Sequence, residues 1–353
     1  MTTAEAQTEI ERLESLFAQN DLEAGLQLSS VLAENNQPER SFEVIVATAK
    51  AGHPQAAVEM GFRLVSGLDA PIDPENGFKW VQMAARAGYL PAMRALAMLR
   101  ISGVGCERAP RRALALLTDA ARAGDVHAAT QINLLLQSGI RNDEALEAFL
   151  SPGQAQTRSE SPRIVTLEDC LPAPMCQWWI EIARTRLQRA TVWDAEQGGT
   201  RPDDVRTNMN AGLRFTHTDF VTQACMVRIA GAAGHPFAHH EPPNVLRYQP
   251  GEEYSSHYDF FDPQNPAFAD AIKVHGQRVA TALVYLNDAF EGGETGFDRL
   301  DQAIRMPAGG MLAFDSVSNG QPDERTLHSG RTPTSGEKWL LSIWFRDRPQ
   351  LAL

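Results

Sequence analysis

Through residue 150 the apolar positions recur three and four apart among Ala, Leu, Glu and Arg, and no stretch alternates apolar with polar as a half-buried strand would. The spacing predicts packed amphipathic helices and an all-α N-terminal part. Self-comparison adds a period. Thr48-Ala49-Lys50-Ala51-Gly52, Ala84-Ala85-Arg86-Ala87-Gly88 and Ala120-Ala121-Arg122-Ala123-Gly124 place their glycines at a constant interval of 36 residues, and Ala56, Ala92 and Ala128 keep the same register. Those residue types recur naturally if a left-handed Gly ends one helix and a small Ala in the next lets its neighbour approach closely. The expected architecture for residues 1–150 is a helical-hairpin solenoid.

Residues 151–162 are crowded with Ser, Pro, Gly and Gln and have no apolar period, which reads as a linker. A second domain is expected over 163–353. Amphipathic helices are predicted over Pro174 to Leu187, with Cys176, Trp179, Ile180, Ala183 and Leu187 on one face, and over Thr218 to Gly231. Short apolar runs bounded by turn formers then predict strands at 244–248, 279–286, 310–314 and 339–345. Helices followed by a series of strands imply an α+β domain with a jelly-roll-like sandwich, so the chain is multidomain.

Composition narrows the partners. The 353 residues carry 32 basic and 44 acidic side chains, a formal charge of -12, which opposes non-specific attraction to nucleic acid or anionic membranes. No basic n-region with an apolar h-region opens the chain, and no run of 18 apolar residues occurs, so neither a secretory signal nor a spanning helix is expected. Cys106, Cys170, Cys176 and Cys225 form no CxxC pair or zinc spacing, which suits buried thiols in a reducing, cytoplasmic setting.

The candidate chemistry lies in the strand-rich half. His257 and Asp259, two apart in an extended segment, project to one face and could grip a single ion. His328, beyond the 310–314 strand, is the candidate third ligand, because a sheet folded back on itself could return it to the pair. Two imidazoles and a carboxylate leave open positions on an octahedral metal, as in non-haem Fe(II) oxygenases, although a catalytic zinc would also accept three such ligands. Ten residues later Lys338 opens the last apolar strand; it could face water or supply a cation for the far carboxylate of a chelating 2-oxo diacid. A Ser256-His257-Asp259 hydrolase is set aside, since neighbours on one strand cannot converge as a triad does and no Gly-x-Ser-x-Gly elbow is present.

These motifs resemble known families. Residues 40–135, with their Ala-Ala-x-Ala-Gly helix ends, Trp80 and the Ser102-Gly103-Val104-Gly105 turn, resemble Sel1-like repeats, relatives of the tetratricopeptide repeat. Residues 163–349 resemble the prolyl 4-hydroxylase branch of the Fe(II)/2-oxoglutarate-dependent dioxygenases, whose core is a double-stranded β-helix. The matching motifs are Tyr248-x-x-Gly251-x-x-Tyr254-x-x-His257-x-Asp259, the run from Arg278 to Asn287, Gly292-Gly293-Glu294-Thr295-x-Phe297, and His328 with Gly336-Glu337-Lys338-Trp339.

The resemblance implies that His257, Asp259 and His328 hold Fe(II) and that Lys338 pairs with the distal carboxylate of 2-oxoglutarate. Tyr248 and Tyr285 would face the co-substrate, with Ser342 and Trp344 beside it; Tyr285, Ser342 and Trp344 equally suit the core of a half-buried sheet. Tyr254 and Arg247 are further pocket candidates, as is Arg206. Two long segments, 196–207 and 260–276, are candidate lids or mobile surface. The implied cofactors are Fe(II) and 2-oxoglutarate, with ascorbate as an accessory, and the implied co-reactant is dioxygen. The implied reaction is hydroxylation coupled to decarboxylation of 2-oxoglutarate, most naturally on a prolyl residue of a protein or peptide recruited by the repeats. The alternatives are the same chemistry on a free amino acid or small molecule, or a non-catalytic repeat adaptor.

Overall fold

The computed structural model describes residues 3–194, 199–201 and 205–350, in two compact units, one ending at Leu136 and the other spanning Gln137–Gln350. Among the described residues no helix is long and apolar enough to cross a membrane.

The first unit is all helical. Successive helices Thr3–Ala18, Leu22–Glu34, Pro38–Lys50, Pro54–Ser66, Pro74–Arg86, Leu90–Ser102 and Pro110–Arg122 pack each against the next, and Val126–Gln137 follows them in the chain. Proline stands in the first turn of several, where its missing N–H costs no hydrogen bond. The repeat glycines Gly52, Gly88 and Gly124 have φ of 99°, 83° and 101°, the left-handed conformation that the helix-ending motif requires. Ala56, Ala92 and Ala128 are fully buried, so a larger side chain at any of them would have to displace core atoms.

The second unit is a sandwich of antiparallel sheets. The larger sheet runs in the order Gln156–Glu160, Arg163–Leu167, Met311–Asp315, Arg278–Tyr285, Lys338–Arg346, Asn244–Tyr248, Met209–Gly212, Gln188–Arg189. The smaller runs Gln302–Ile304, Thr295–Phe297, His328–Gly330, Tyr254–His257. Tyr248, Tyr285, Phe297 and Phe314 belong to one core cluster, with Phe297 and Phe314 edge to face at 5.1 Å. The helix Phe220–Ala233 packs on strands Met311–Asp315 and Arg278–Tyr285. It is capped by Asp219, whose Oδ1 accepts from the Thr222 N–H, while Thr222 Oγ1 accepts from the Asp219 N–H.

Three boundaries differ from the sequence reading. Residues 151–162 are not a linker throughout, because Gln156–Glu160 pairs antiparallel with Arg163–Leu167 as the edge of the large sheet. The division of the chain falls earlier than residue 150. The helix Asp143–Leu150 belongs to the second unit, where Arg228 donates to the carbonyls of Phe149 and Ser151 at 2.5 and 3.0 Å and lies over the Phe149 ring. The helix expected over 174–187 spans Ala173–Arg184 and leaves Leu187 outside it. Of the 196–207 segment, residues 196–198 and 202–204 lie outside the described residues, whereas 260–276 contains the helix Ala269–His275.

Candidate functional site

The small sheet assembles the three candidate ligands. Strand His328–Gly330 lies antiparallel to Tyr254–His257 with His328 opposite His257, and the chain carries on two residues past His257 to reach Asp259. His257 Nε2 lies 3.6 Å from Asp259 Oδ1, and His328 Nε2 lies 3.5 Å from Asp259 Oδ2. One ligand atom from each residue falls within 4.8 Å of the others, close enough to share one ion.

Each ligand is oriented by a second partner. His257 Nδ1–H donates to the Ser255 carbonyl at 2.8 Å and His328 Nδ1–H to the Thr326 carbonyl at 2.9 Å, which leaves both Nε2 lone pairs free for a metal. Thr281 Oγ1 donates to Asp259 Oδ2 at 2.6 Å. Tyr254 stacks on His257 with ring centroids 3.5 Å apart, and Phe314 meets His328 edge to face at 4.8 Å. Burial, aided by the neighbouring His328, pushes the His257 imidazole down to about 3, so it is neutral near pH 7 as a metal ligand must be. Burial acts to raise the Asp259 carboxyl, but His328, His257 and the Thr281 hydroxyl outweigh it and hold the group below its ordinary value.

Lys338 stands opposite Tyr248 in the large sheet and is fully buried. Its Nζ has no hydrogen-bond partner and lies 5.1 Å from the Tyr248 ring centroid and 5.0 Å from that of Tyr285. A buried ammonium without a partner is costly, and burial drives this one down from the usual lysine value to about 7, with Glu294 opposing the shift and Arg305 adding to it. Gly293 makes room for the lysine stem. Its φ is +69°, and a Cβ there would lie 2.9 Å from the Phe290 ring and 3.3 Å from Lys338 Cδ.

His257, Asp259, His328, Lys338 and Tyr248 line one cavity, which Ser342 and Trp344 also border. The residues fit the implied groups. The metal ligands supply two imidazoles and a carboxylate, and the orphaned Lys338 ammonium matches the remote carboxylate of a dicarboxylate chelated at the metal. Tyr254 also borders this cavity. Two residues differ from the sequence reading. Tyr285 gives Lys338 its ring face, but its hydroxyl is occupied in joining the sheets: it donates to the Ile304 carbonyl at 3.0 Å and accepts from the Thr295 N–H at 3.1 Å. Arg247 is not in the lining, because Leu246 and Tyr248 face the cavity and strand alternation sends Arg247 to the opposite face.

The sequence reading gave no role to Thr281, and it quoted Arg278 only as the start of a motif. Thr281 was detectable as the one polar residue inside Val279-Ala280-Thr281-Ala282-Leu283, on the same strand face as Leu283 and Tyr285. Arg278 lies with its guanidinium 3.9 Å from the Trp344 ring centroid and is held bidentately by Glu241 at 2.7 and 2.8 Å. That long-range pair leaves no sequence signal beyond a charge at a strand end.

Fold and site together define a 2-oxo-acid-dependent non-haem iron oxygenase, and comparison with known proteins agrees. Residues 243–346 match the 2OG-Fe(II) oxygenase superfamily. The chain is 37% identical over 207 residues to prolyl 4-hydroxylase 1 of Arabidopsis thaliana, covering 54% of this chain and 71% of that protein. It is 31% identical over 215 residues to probable prolyl 4-hydroxylase 9 of the same plant, covering 55% and 72%. The chain therefore belongs to the prolyl 4-hydroxylase family of 2-oxoglutarate-dependent dioxygenases. Among solved structures, it is similar to a viral collagen prolyl hydroxylase from Paramecium Bursaria Chlorella virus-1 (23% identity, TM-score 0.39, 51% of this chain and 94% of that one). It is also similar to a Sel1 repeat protein from Oxalobacter formigenes (23% identity, TM-score 0.32, 35% and 96%).

Proposed function

We propose that this protein hydroxylates prolyl residues of a protein or peptide, with the helical repeats recruiting that target. The observation that carries the reading is one cavity containing both a His-Asp-His ligand set and a buried ammonium with no partner of its own. Family membership and the prolyl 4-hydroxylases among its relatives support the prolyl substrate. A solenoid of stacked hairpins offers the extended surface that peptides use, which supports recruitment. A reducing, cytoplasmic setting is part of the same proposal, supported by four free cysteines. Ascorbate as an accessory reductant is also proposed, from the family's chemistry.

In this reading His257, Asp259 and His328 hold Fe(II), and Lys338 binds the distal carboxylate of 2-oxoglutarate. The iron and 2-oxoglutarate, when bound, supply the oxidising chemistry, consuming dioxygen and releasing succinate and carbon dioxide. The protein's part is positional. The carbonyls of Ser255 and Thr326 fix the imidazole tautomers, and Thr281 fixes the carboxylate. Burial of Lys338 makes its salt bridge dependent on a ligand that brings the matching charge. No side chain is required as a general base.

The test supplies purified protein with Fe(II), 2-oxoglutarate, oxygen and a proline-containing peptide pool, and reads added oxygen by mass spectrometry. The expected product is an oxidised prolyl peptide. Succinate formed with no modified peptide would redirect the reading to a small-molecule substrate, and no succinate from iron-loaded protein would leave a non-catalytic adaptor.

A further inference from the structure

A second and larger cavity, of about 450 Å³, shares Arg206, Tyr254, Asp259 and Trp344 with the first but does not reach Lys338. The two cavities therefore meet at the candidate metal ligand Asp259, and the second approaches it from the side not taken by the co-substrate cation. Its outer wall comes from Tyr258 and from the segment after Asp259, with Phe260, Phe261, Ala267, Phe268 and Ala271. The aromatic members of this wall are half-buried although they stand in a packed domain, because they face the cavity.

The wall is braced. The Phe261 N–H donates to Gln277 Oε1 at 2.8 Å, and Gln277 Nε2 donates back to the Phe261 carbonyl at 2.6 Å. The Phe261 ring packs on Phe268 at 5.1 Å and lies 4.9 and 4.7 Å from the guanidinium carbons of Arg278 and Arg346. The charges of Arg278 and Arg346 are satisfied by Glu241, and Arg206, the other cationic residue of the lining, donates to Asn208 Oδ1 at 3.3 Å and the Thr191 carbonyl at 3.4 Å and lies over the Tyr254 ring. What the cavity offers a visitor is chiefly aromatic face, with Ala267 in the 3-10 turn Pro266–Phe268 and Ala271 on the helix Ala269–His275 leaving the space open.

We propose that this cavity is a specificity subsite that accepts a large apolar side chain, leucine- or phenylalanine-sized, of a substrate residue adjacent to the oxidised one. The inference rests on the peptide-hydroxylase reading above, and it adds a sequence preference to it. Aromatic walls reward apolar and aromatic side chains through burial and offset stacking, and the shared edge at Asp259 and Trp344 places such a side chain next to the reacting position. Ala271 and Ala267 set the depth of the subsite, and Phe268 closes its far side.

The test uses the full-length enzyme and acetylated, amidated peptides of the form Gly-Gly-Xaa-Pro-Gly-Gly and Gly-Gly-Pro-Xaa-Gly-Gly, with Xaa as Gly, Leu, Phe or Asp. Hydroxylation is measured with Fe(II). Equilibrium binding is measured with Mn(II) and 2-oxoglutarate, where turnover is absent. The wild type should favour Leu or Phe over Gly about tenfold in kcat/KM in at least one of the two frames. Ala271→Trp should erase that preference while the Gly peptide is still used. Phe268→Ala should weaken it and serves as the deciding variant if Ala271→Trp no longer binds 2-oxoglutarate. No preference, a preference for Asp, or one unchanged in the variants would overturn the subsite and leave prolyl hydroxylation standing. A wild type that binds the Phe peptides more tightly than the Gly peptides but oxidises none would support the subsite and overturn prolyl hydroxylation.

Discussion

His257 and His328 face each other across two antiparallel strands, with ring centroids 4.3 Å apart and each Nδ1 tied to a backbone carbonyl of its own chain segment. A one-residue slip in that pairing would turn His328 to the other face of the small sheet and break the ligand set. The jelly-roll connectivity is therefore what converts two remote histidines into one site.

Lys338 contributes to the cavity a buried ammonium that no described side chain hydrogen-bonds. Lys338→Met should weaken 2-oxoglutarate binding by roughly 30- to 1000-fold, corresponding to about 2–4 kcal/mol for a truncated buried charge pair. Fe(II) binding should change little. Titration of 2-oxoglutarate into metal-loaded protein by calorimetry checks both.

The same lysine makes co-substrate binding pH-dependent. Burial holds its free-state value at about 7, and a bound carboxylate favours the protonated form and raises that value. Binding is then strongest below about pH 7, where the ammonium is already charged. Above it a proton must be taken up with the ligand, so the dissociation constant climbs towards tenfold per pH unit until the bound-state value is reached. Lys338→Arg, which keeps its charge throughout, should flatten the profile. Dissociation constants measured between about pH 6 and 9 decide it.

Thr281 should matter to the metal without touching it. Thr281→Val removes the hydrogen bond to Asp259 Oδ2 and keeps the shape, and we expect a loss of about 10- to 100-fold in Fe(II) affinity. Metal competition with a chromophoric chelator measures this, and thermal melting of the metal-free protein separates it from a general loss of stability.

Gly293→Ala meets two obstacles, a left-handed backbone and contact with Phe290 and Lys338 Cδ. A destabilisation of about 1–3 kcal/mol is expected. It should appear as a lower midpoint in urea unfolding, accompanied by weaker 2-oxoglutarate binding because Lys338 is displaced.

Long elements were legible in the sequence. The 36-residue glycine period predicted helix-ending positions that do adopt positive φ, and the apolar runs at 244–248 and 339–345 are central strands of the large sheet. The small sheet was not legible: its strands are three or four residues long, with polar members such as Ser255, Ser256 and Ser329, and too short to display a period. The edge strand Gln156–Glu160 was hidden for a related reason, since its residues are largely exposed and polar and it is defined by pairing alone. The spacing of His257 and Asp259 gave the ligand pair. Arg247 misled because the reading did not carry strand alternation back from Tyr248, and the Arg278–Glu241 pair depends on tertiary proximity that no local pattern encodes.

The most direct measurement is anaerobic equilibrium binding of Fe(II) to the wild type and to His328→Ala. One Fe(II) per chain in the wild type, with affinity reduced 100-fold or more in the variant, is the predicted result. A wild type that binds no Fe(II), or a variant that binds it as tightly as the wild type, would contradict the shared site on which the assignment stands.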